Sequence, residues 1–211
     1  MLFRSRGEHH KVARAYVLYR EQRAKQRYKT AKLNEQVGAK VSTMAVTKRD
    51  GHKEDISLEK ITNRISVLSN GLEIDPITIA QKAIQGLYDG ITTNEIDTYL
   101  AETAAALTVE HPDYSYLAGR IKANALHKET PGFIIATKNL FEDGLLREEY
   151  YQKAMANAEE IEKIIDYDRD YLFDYFALTT LFRAYLLQFN NKTIERPQDL
   201  WMRVALCVSG D

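Results

Sequence analysis

Residues 45–61 read Ala45-Val46-Thr47-Lys48-Arg49-Asp50-Gly51-His52-Lys53-Glu54-Asp55-Ile56-Ser57-Leu58-Glu59-Lys60-Ile61. This stretch predicts a short strand, a tight turn, a second short strand and the start of a helix. The turn falls at Asp50-Gly51, because glycine takes the positive φ that a two-residue hairpin turn needs. Ser57 is the expected N-cap of the helix that begins at Leu58. A hairpin followed directly by a helix is therefore the first predicted unit of the fold.

The predicted hairpin carries several cations close to the start of the helix. Lys48 and Arg49 stand before the turn, and Lys53 and Lys60 follow it. The free N–H groups at a helix start and the cationic side chains can point at the same phosphate, so an anion site is one interpretation. The other is a solvated hairpin whose charges make no functional contact. The residues alone leave both open.

The same stretch resembles the opening of an ATP-cone, the nucleotide-binding regulatory module at the N-terminus of ribonucleotide reductase large subunits. Three later stretches match in the same order, at residues 90–97, 111–121 and 126–130. Further matches to the helical region that leads into the barrel of class I large subunits follow at residues 165–170, 175–176, 195–198 and 202–205. Because many motifs recur in the right order over about residues 44–211, the resemblance implies the N-terminal part of such a subunit.

Composition limits the class of protein. The chain has 211 residues with 45% hydrophobic content, enough for a real core in one or two domains. No run approaches ~18 apolar residues, the N-terminus lacks the apolar segment of a signal peptide, and one cysteine excludes an internal disulfide. A cytoplasmic protein without a membrane span is expected.

The N-terminal segment is strongly basic, with ten Lys/Arg and two Glu in residues 1–33. Its helical pattern resembles the closing helix of a preceding ATP-cone, so residues 1–33 are expected to be the remnant of a truncated cone with a basic tail, and residues 34–43 its linker. A basic helix can also bind nucleic acid by neutralising phosphates, an interpretation that we disfavour.

The predicted fold is mainly α, in the α+β class. In the cone, residues 44–130, start signals at Ser57, Asp75, Thr92 and His111 predict four helices over a small sheet of two or three strands. Residues 131–211 are expected to form a helical region with one β-hairpin. Its predicted elements are helices at 138–143, 146–164 and 170–188, a hairpin at 188–195, and a helix from Pro197.

The sequence has neither a Gly-rich P-loop nor a Rossmann fingerprint. The resemblance instead implies that ATP or dATP, with or without Mg²⁺, binds as an allosteric effector to point cations and helix ends. It assigns the phosphates to Lys48, Arg49 and Lys128, and closure of the adenosine side to Thr93 and Asp97. The base and ribose would lie against Glu54, Asp55, Ile56, Ser57, Leu58, Glu59 and Lys60.

Several of these residues also have purely structural interpretations. Thr93 and Asp97 suit the start of a helix, and Lys128 suits a helix C-terminus, where a cation is favourable. Residues 166–170 alternate three carboxylates, but an EF-hand loop would need Gly and Glu where Tyr171 and Ala177 stand. Helix capping with an internal Arg–Asp ion pair, and no metal site, is expected there.

The helical region is rich in aromatic residues between 167 and 185. Core packing, and packing against something larger, is favoured over a base-stacking platform for nucleic acid. In the resembled family this region lies against the catalytic barrel, so an exposed apolar face is expected.

No catalytic residue is predicted. Reduction in the resembled family needs a radical cysteine and a redox pair in the barrel and tail, whereas Cys207 is the single thiol here and is expected to be buried and inert. The chain alone is therefore expected to be inactive. Its expected partners are the rest of the large subunit, the radical-generating small subunit and further copies of itself.

Two alternatives remain. The chain would be one part of a split reductase that is active only with a separate barrel polypeptide. Otherwise it would be a cone-containing nucleic-acid-binding regulator, against which the lack of a zinc-ribbon cysteine pattern argues.

Overall fold

The computed structural model describes residues 44–209 without a gap, together with five exposed helical positions before them, Glu21, Ala24, Lys25, Tyr28 and Ala31. Apart from these positions, the predicted cone remnant, basic tail and linker lie outside the described residues. None of the helices in the described part is long and apolar enough to cross a membrane.

The opening hairpin pairs β1 (Ala45–Thr47) antiparallel to β2 (Lys53–Asp55). Its turn is longer than the predicted two residues. Lys48 N donates to His52 O at 2.8 Å, Gly51 N donates to Lys48 O at 3.0 Å, and Gly51 has φ +88°. This is a three-residue loop that ends in a left-handed glycine. The Asp50 carboxylate favours the longer loop by accepting a bond from His52 N at 3.2 Å.

Four helices cover the hairpin. The first three begin where the capping residues predict, and the fourth begins at Asp113, two residues after the predicted start signal His111, with no side-chain hydrogen bond from its N-cap residue. Ser57 accepts from Lys60 N, Asp75 accepts from Ile77 N, and Thr92 forms a reciprocal capping box with Glu95. A short 3₁₀ turn at Leu107–Val109 joins the last two helices. The four are α1 (Leu58–Leu68), α2 (Pro76–Ile84), α3 (Thr93–Ala106) and α4 (Asp113–Glu129).

One hydrophobic cluster joins these helices to the hairpin. Ile65 of α1, Ile79 of α2 and Leu117 of α4 are fully or almost fully buried, and Val46 of β1 packs among them. Each such side chain contributes roughly 1.5–3 kcal/mol by leaving water. A parallel bridge from Thr47 to Thr92 fixes the hairpin beside the start of α3.

The remaining elements form the predicted helical region with one hairpin, which confirms the mainly α class. They are α5 (Phe133–Glu142), α6 (Glu148–Ala156), α7 (Ala158–Ile164), a 3₁₀ helix (Tyr167–Leu172), α8 (Tyr175–Ala184), β3 (Gln188–Phe189), β4 (Lys192–Thr193) and α9 (Pro197–Val208). Asn190 and Asn191 take φ +49° and +60° at the tip of the predicted hairpin.

Three predicted helix ranges were wrong. The helix predicted at 138–143 already begins at Phe133. The one predicted at 146–164 is interrupted at Asn157, whose side chain donates to Lys153 O at 2.8 Å and ends α6. The one predicted at 170–188 is shorter, because Asp174 caps α8 by accepting from Ala177 N at 2.8 Å.

The prediction of a buried Cys207 was also wrong, because this thiol is exposed. Leu200 of α9 packs into the core, whereas Trp201 and Val208 lie on the open side of the helix with 49% and 77% of their surface exposed. This open apolar stripe agrees with the exposed face expected for the helical region.

The 3₁₀ helix holds the helical region against α4. Asp170 is fully buried and lies 2.7 Å from His127 Nε2 of α4. Asp166 caps Asp168 N, and Arg169 lies 3.4 Å from Asp166, as expected for a capping segment with an Arg–Asp ion pair.

The close approach of α4 to residues 173–174 leaves no room for a side chain at Gly119. A Cβ there would lie 2.3 Å from the Phe173 carbonyl oxygen and 2.8 Å from the Asp174 carbonyl carbon. Gly119→Ala gains about 1 kcal/mol of helix propensity. We expect overpacking to outweigh this, with a net loss of about 2 kcal/mol in the free energy of unfolding, measured by urea denaturation. Gly132→Ala is the control, since its Cβ would meet Tyr167 Oη at 3.4 Å. Equal stability of the two variants would contradict the prediction.

Burial of Asp199 predicts a specific pH dependence of stability. Its carboxylate accepts bonds from Tyr167 Oη at 2.7 Å and Arg196 N at 3.1 Å, and burial raises its pKa from 3.8 to about 6. An acid whose pKa is raised by folding stabilises the fold below its unfolded pKa, and this contribution is lost as the pH rises through the folded value. The unfolding free energy of wild type relative to Asp199→Asn should fall by about 2 kcal/mol between about pH 4 and pH 7.5. Asp168→Asn, at an exposed position, is the control, and parallel curves for Asp199→Asn and wild type would refute the assignment.

Candidate functional site

A buried carboxylate connects the hairpin loop to two helices of the cone. Asp97 lies in the second turn of α3 and is only 2% exposed. Its Oδ2 accepts from Arg49 Nη2 at 2.9 Å, and its Oδ1 accepts from Arg64 Nη1 of α1. Arg64 also donates from Nε to Asn124 of α4 at 3.0 Å. Two guanidinium groups are thereby fixed side by side.

A second cluster lies between β2 and α1. Glu54 is 2.6 Å from Lys48 Nζ and 3.1 Å from Lys60 Nζ. The hydrogen bond from Lys48, and next the bond from Lys60, hold the pKa of the Glu54 carboxyl below its usual value. Glu54 therefore stays ionised and keeps both ammonium groups at the mouth of the site.

Seven of the twelve predicted nucleotide-binding residues line one cavity of about 160 Å³. Val46, Ile61, Ile96 and Leu100 supply its apolar lining. An apolar surface with a polar rim suits a flat aromatic base joined to a sugar. The seven predicted residues are Lys48, Glu54, Ile56, Ser57, Lys60, Thr93 and Asp97.

A larger cavity of about 720 Å³ adjoins the first, since Lys48 and Thr93 line both. It adds Arg49 and Lys128, so the three residues that the resemblance assigned to phosphates all reach this second space. The pair of cavities thus has an apolar end and a cationic end.

Lys128 lies in the last turn of α4, close to other cations. Burial lowers its pKa, and the positive charges of Arg64, Arg49 and Lys48 lower it further, against the opposing effect of Asp97. Within residues 44–209 no carboxylate forms an ion pair with Lys128. The site therefore holds more positive than negative charge where an anion could enter.

Arg64 is a residue of the site that the sequence interpretation missed. It lines the smaller cavity, and its Nη2 is buried without a hydrogen-bond partner among the described residues. The spacing from Lys60 to Arg64 is i, i+4, which places both on one face of α1, and this was the available signal. A buried donor without an acceptor is costly, so a ligand acceptor would stabilise it.

Three predicted site residues line neither cavity. Leu58 packs in the core of the cone, and Asp55 and Glu59 are exposed. The described residues also contain no cluster of three His, Cys, Asp or Glu side chains that could hold a metal ion.

Comparison with known families and proteins identifies both parts of the chain. Residues 44–129 match the ATP cone domain, and residues 171–211 match the ribonucleotide reductase all-alpha domain. The ribonucleoside-diphosphate reductase large subunit of Dictyostelium discoideum is 42% identical over 188 residues, which are 82% of this chain and 22% of that protein. The large subunit of Caenorhabditis elegans is 44% identical over 179 residues, which are 79% of this chain and 23% of that protein.

The large subunit of Arabidopsis thaliana is 41% identical over 181 residues, 80% of this chain. The chain spans less than a quarter of the length of these relatives. The matches confirm the resemblance drawn from the ordered motifs. The chain therefore belongs to the class I ribonucleoside-diphosphate reductase large subunits, and it corresponds to their N-terminal region with an ATP-cone.

Proposed function

We propose that this chain binds ATP or dATP in the two adjoining cavities and acts as the allosteric sensor of a ribonucleotide reductase large subunit. The observation that carries the proposal is the gathering of predicted residues from separate segments around one space with excess positive charge. Lys48 and Arg49 come from the hairpin, Thr93 from α3 and Lys128 from α4. A structural role for each residue alone does not explain why they converge.

The two ends of the site suit the two ends of a nucleotide. The base would lie on the apolar lining of the smaller cavity, and the Glu54 and Asp97 carboxylates can accept from ribose hydroxyls or from an amino group. The triphosphate would extend into the larger cavity toward Lys128 and Arg49. Mg²⁺ would enter with the triphosphate, bound mainly by its oxygens.

The regulatory role requires that two states of the assembly bind effector differently. ATP would favour the active assembly and dATP the inhibited one, through differential affinity for two quaternary states.

The cone would comprise residues 44–130, and the helical region residues 131–211. In this proposal the whole protein reduces ribonucleoside diphosphates with its barrel, pairs with a small subunit and is cytoplasmic. The chain alone would not catalyse the reaction.

Calorimetric titration of the purified chain with ATP and with dATP tests the proposal directly. We expect saturable binding that weakens by about tenfold or more in Lys48→Ala, because one charge-assisted contact of roughly 1.5–3 kcal/mol is lost. Lys82→Ala is the matched control, since Lys82 lies in α2, pairs with Glu110 at 3.2 Å and lines neither cavity. Circular dichroism verifies that both variants are folded. A folded wild-type chain that binds neither nucleotide would refute the proposal.

The lowered pKa of Lys128 predicts that nucleotide binding takes up protons. A bound triphosphate would raise this pKa again, so affinity is full below the pKa of the free site and falls as the pH rises through it. We expect proton uptake at alkaline pH, below the usual lysine pKa of 10.5, where the triphosphate itself is ionised. Calorimetry in buffers of different ionisation enthalpy measures it. Lys128→Met should bind ATP more weakly and lose the uptake, whereas uptake equal to that of wild type would assign the proton elsewhere.

A further inference from the structure

The larger cavity is not built by the cone alone. Lys48, Arg49 and Lys128 line it from the cone, and residues 191–193 of the β3–β4 hairpin line it from the helical region. Phe182 of α8 adds an aromatic ring to the same wall. A ligand in this cavity would therefore touch two parts of the chain that are far apart in sequence.

The tip of this hairpin has a defined geometry. Asn190 and Asn191 both have positive φ, as a two-residue turn that joins twisted strands requires, and Phe189 pairs with Lys192 directly beside the turn. Lys192 is thus the first residue of the returning strand. Its position follows from the turn.

The base of the hairpin is anchored in the helical region. Leu187 N donates to the buried Glu195 carboxylate at 3.0 Å, and Arg203 Nε donates to the same carboxylate at 2.6 Å. Gln188 Nε2 donates to Phe182 O at 2.8 Å. These bonds hold β3 and β4 against α8 and α9, so Lys192 is presented to the cavity on a supported element.

The charges in the cavity differ in how far they are neutralised. Lys48 and Arg49 already pair with Glu54 and Asp97. Lys128 and Lys192 make no ion pair within residues 44–209. Of the described residues that line the cavity, Glu129 is the one carboxylate, and it lies 3.5 Å from Arg49.

We propose that Lys192 is a further ligand of the bound triphosphate, so that one effector molecule bridges the cone and the helical region. This inference rests on the proposed function and extends its site beyond the cone. Two ammonium groups without counter-ions, one from each part of the chain, line a single cavity. A polyanion between them would form charge-assisted bonds to both.

The bridge gives effector binding a structural consequence. A nucleotide bound only by the cone would stabilise only the conformation of the cone. One that is also bound by Lys192 would stabilise the arrangement in which the β3–β4 hairpin lies beside Lys128. Any state that moves the hairpin away binds triphosphate less tightly, and binding opposes that movement by the same factor.

The test compares Lys192→Gln with Lys138→Gln, a matched control at an exposed position of α5. Calorimetry of the whole chain with ATP, AMP and inorganic triphosphate measures how each variant binds. Lys192→Gln should weaken ATP and inorganic triphosphate by about tenfold and leave AMP within about twofold. Lys192→Arg should retain most of the affinity, and Lys138→Gln should resemble wild type.

The outcomes separate this inference from the proposed function. ATP binding that is strong in wild type and unchanged in Lys192→Gln would overturn the bridge and leave the cone site intact. Equal weakening of AMP and ATP would also overturn it, because the effect would then not follow the phosphates. Absence of ATP binding in wild type would overturn both proposals. Since the Lys192 side chain is exposed and forms no ion pair in the described part of the chain, Lys192→Gln and Lys192→Arg should both keep the unfolding temperature of wild type.

Discussion

The buried Asp97 carboxylate is the interaction on which the arrangement of the site depends. A charge removed from water is costly unless it is paired and hydrogen-bonded, and Arg49 and Arg64 provide both for the two oxygens of Asp97. If the hairpin loop moved away from α3, the Asp97 carboxylate would lose the Arg49 guanidinium, which is one of its two partners, while remaining buried. The position of Arg49, and with it one side of the larger cavity, is set by a residue 48 positions away.

The charges of the site are more nearly balanced around the smaller cavity than around the larger one. Around the smaller cavity, Glu54 and Asp97 neutralise cations and leave an apolar lining exposed to a ligand. Around the larger cavity, Lys128 forms no ion pair within residues 44–209, and three cations, Arg64, Arg49 and Lys48, act on it against the single carboxylate of Asp97. A ligand with an aromatic end and a polyanionic end matches this gradient better than a uniformly charged one, since each end meets the environment that costs it least.

Local signals predicted the parts of the fold that depend on a few neighbouring residues. The caps at Ser57, Asp75 and Thr92 and the hairpin at 188–195 were predicted from short patterns, because a cap or a turn is decided by the residues that form it. The break at Asn157 was missed, since the periodic pattern continues through it. The exposure of Cys207 was missed because it depends on which elements pack against α9. The sequence around Cys207 does not contain that information.

The site shows the same limit. The ordered motifs identified Lys48, Arg49 and Lys128, and the structure brings these to one cavity. Arg64 was missed because its role arises from contacts to Asp97 and Asn124, which lie 33 and 60 positions along the chain. The role proposed for Lys192 has no local signal, because nothing within its own hairpin distinguishes it from a solvated lysine. The i, i+4 spacing from Lys60 was the one local signal for Arg64, whereas Lys192 becomes informative only when long-range packing places it beside the predicted residues.

One turn of α4 serves the site and the domain junction together. Lys128 reaches the larger cavity, while the preceding residue His127 contacts the buried Asp170, and Arg196 Nη2 of the helical region donates to His127 O at 3.1 Å. Adjacent residues of a rigid helix cannot shift independently. In the proposed function, a shift of α4 at Lys128 on effector binding would therefore also displace His127 at the junction, and coupling between the cone and the helical region would need no long chain of intermediate contacts.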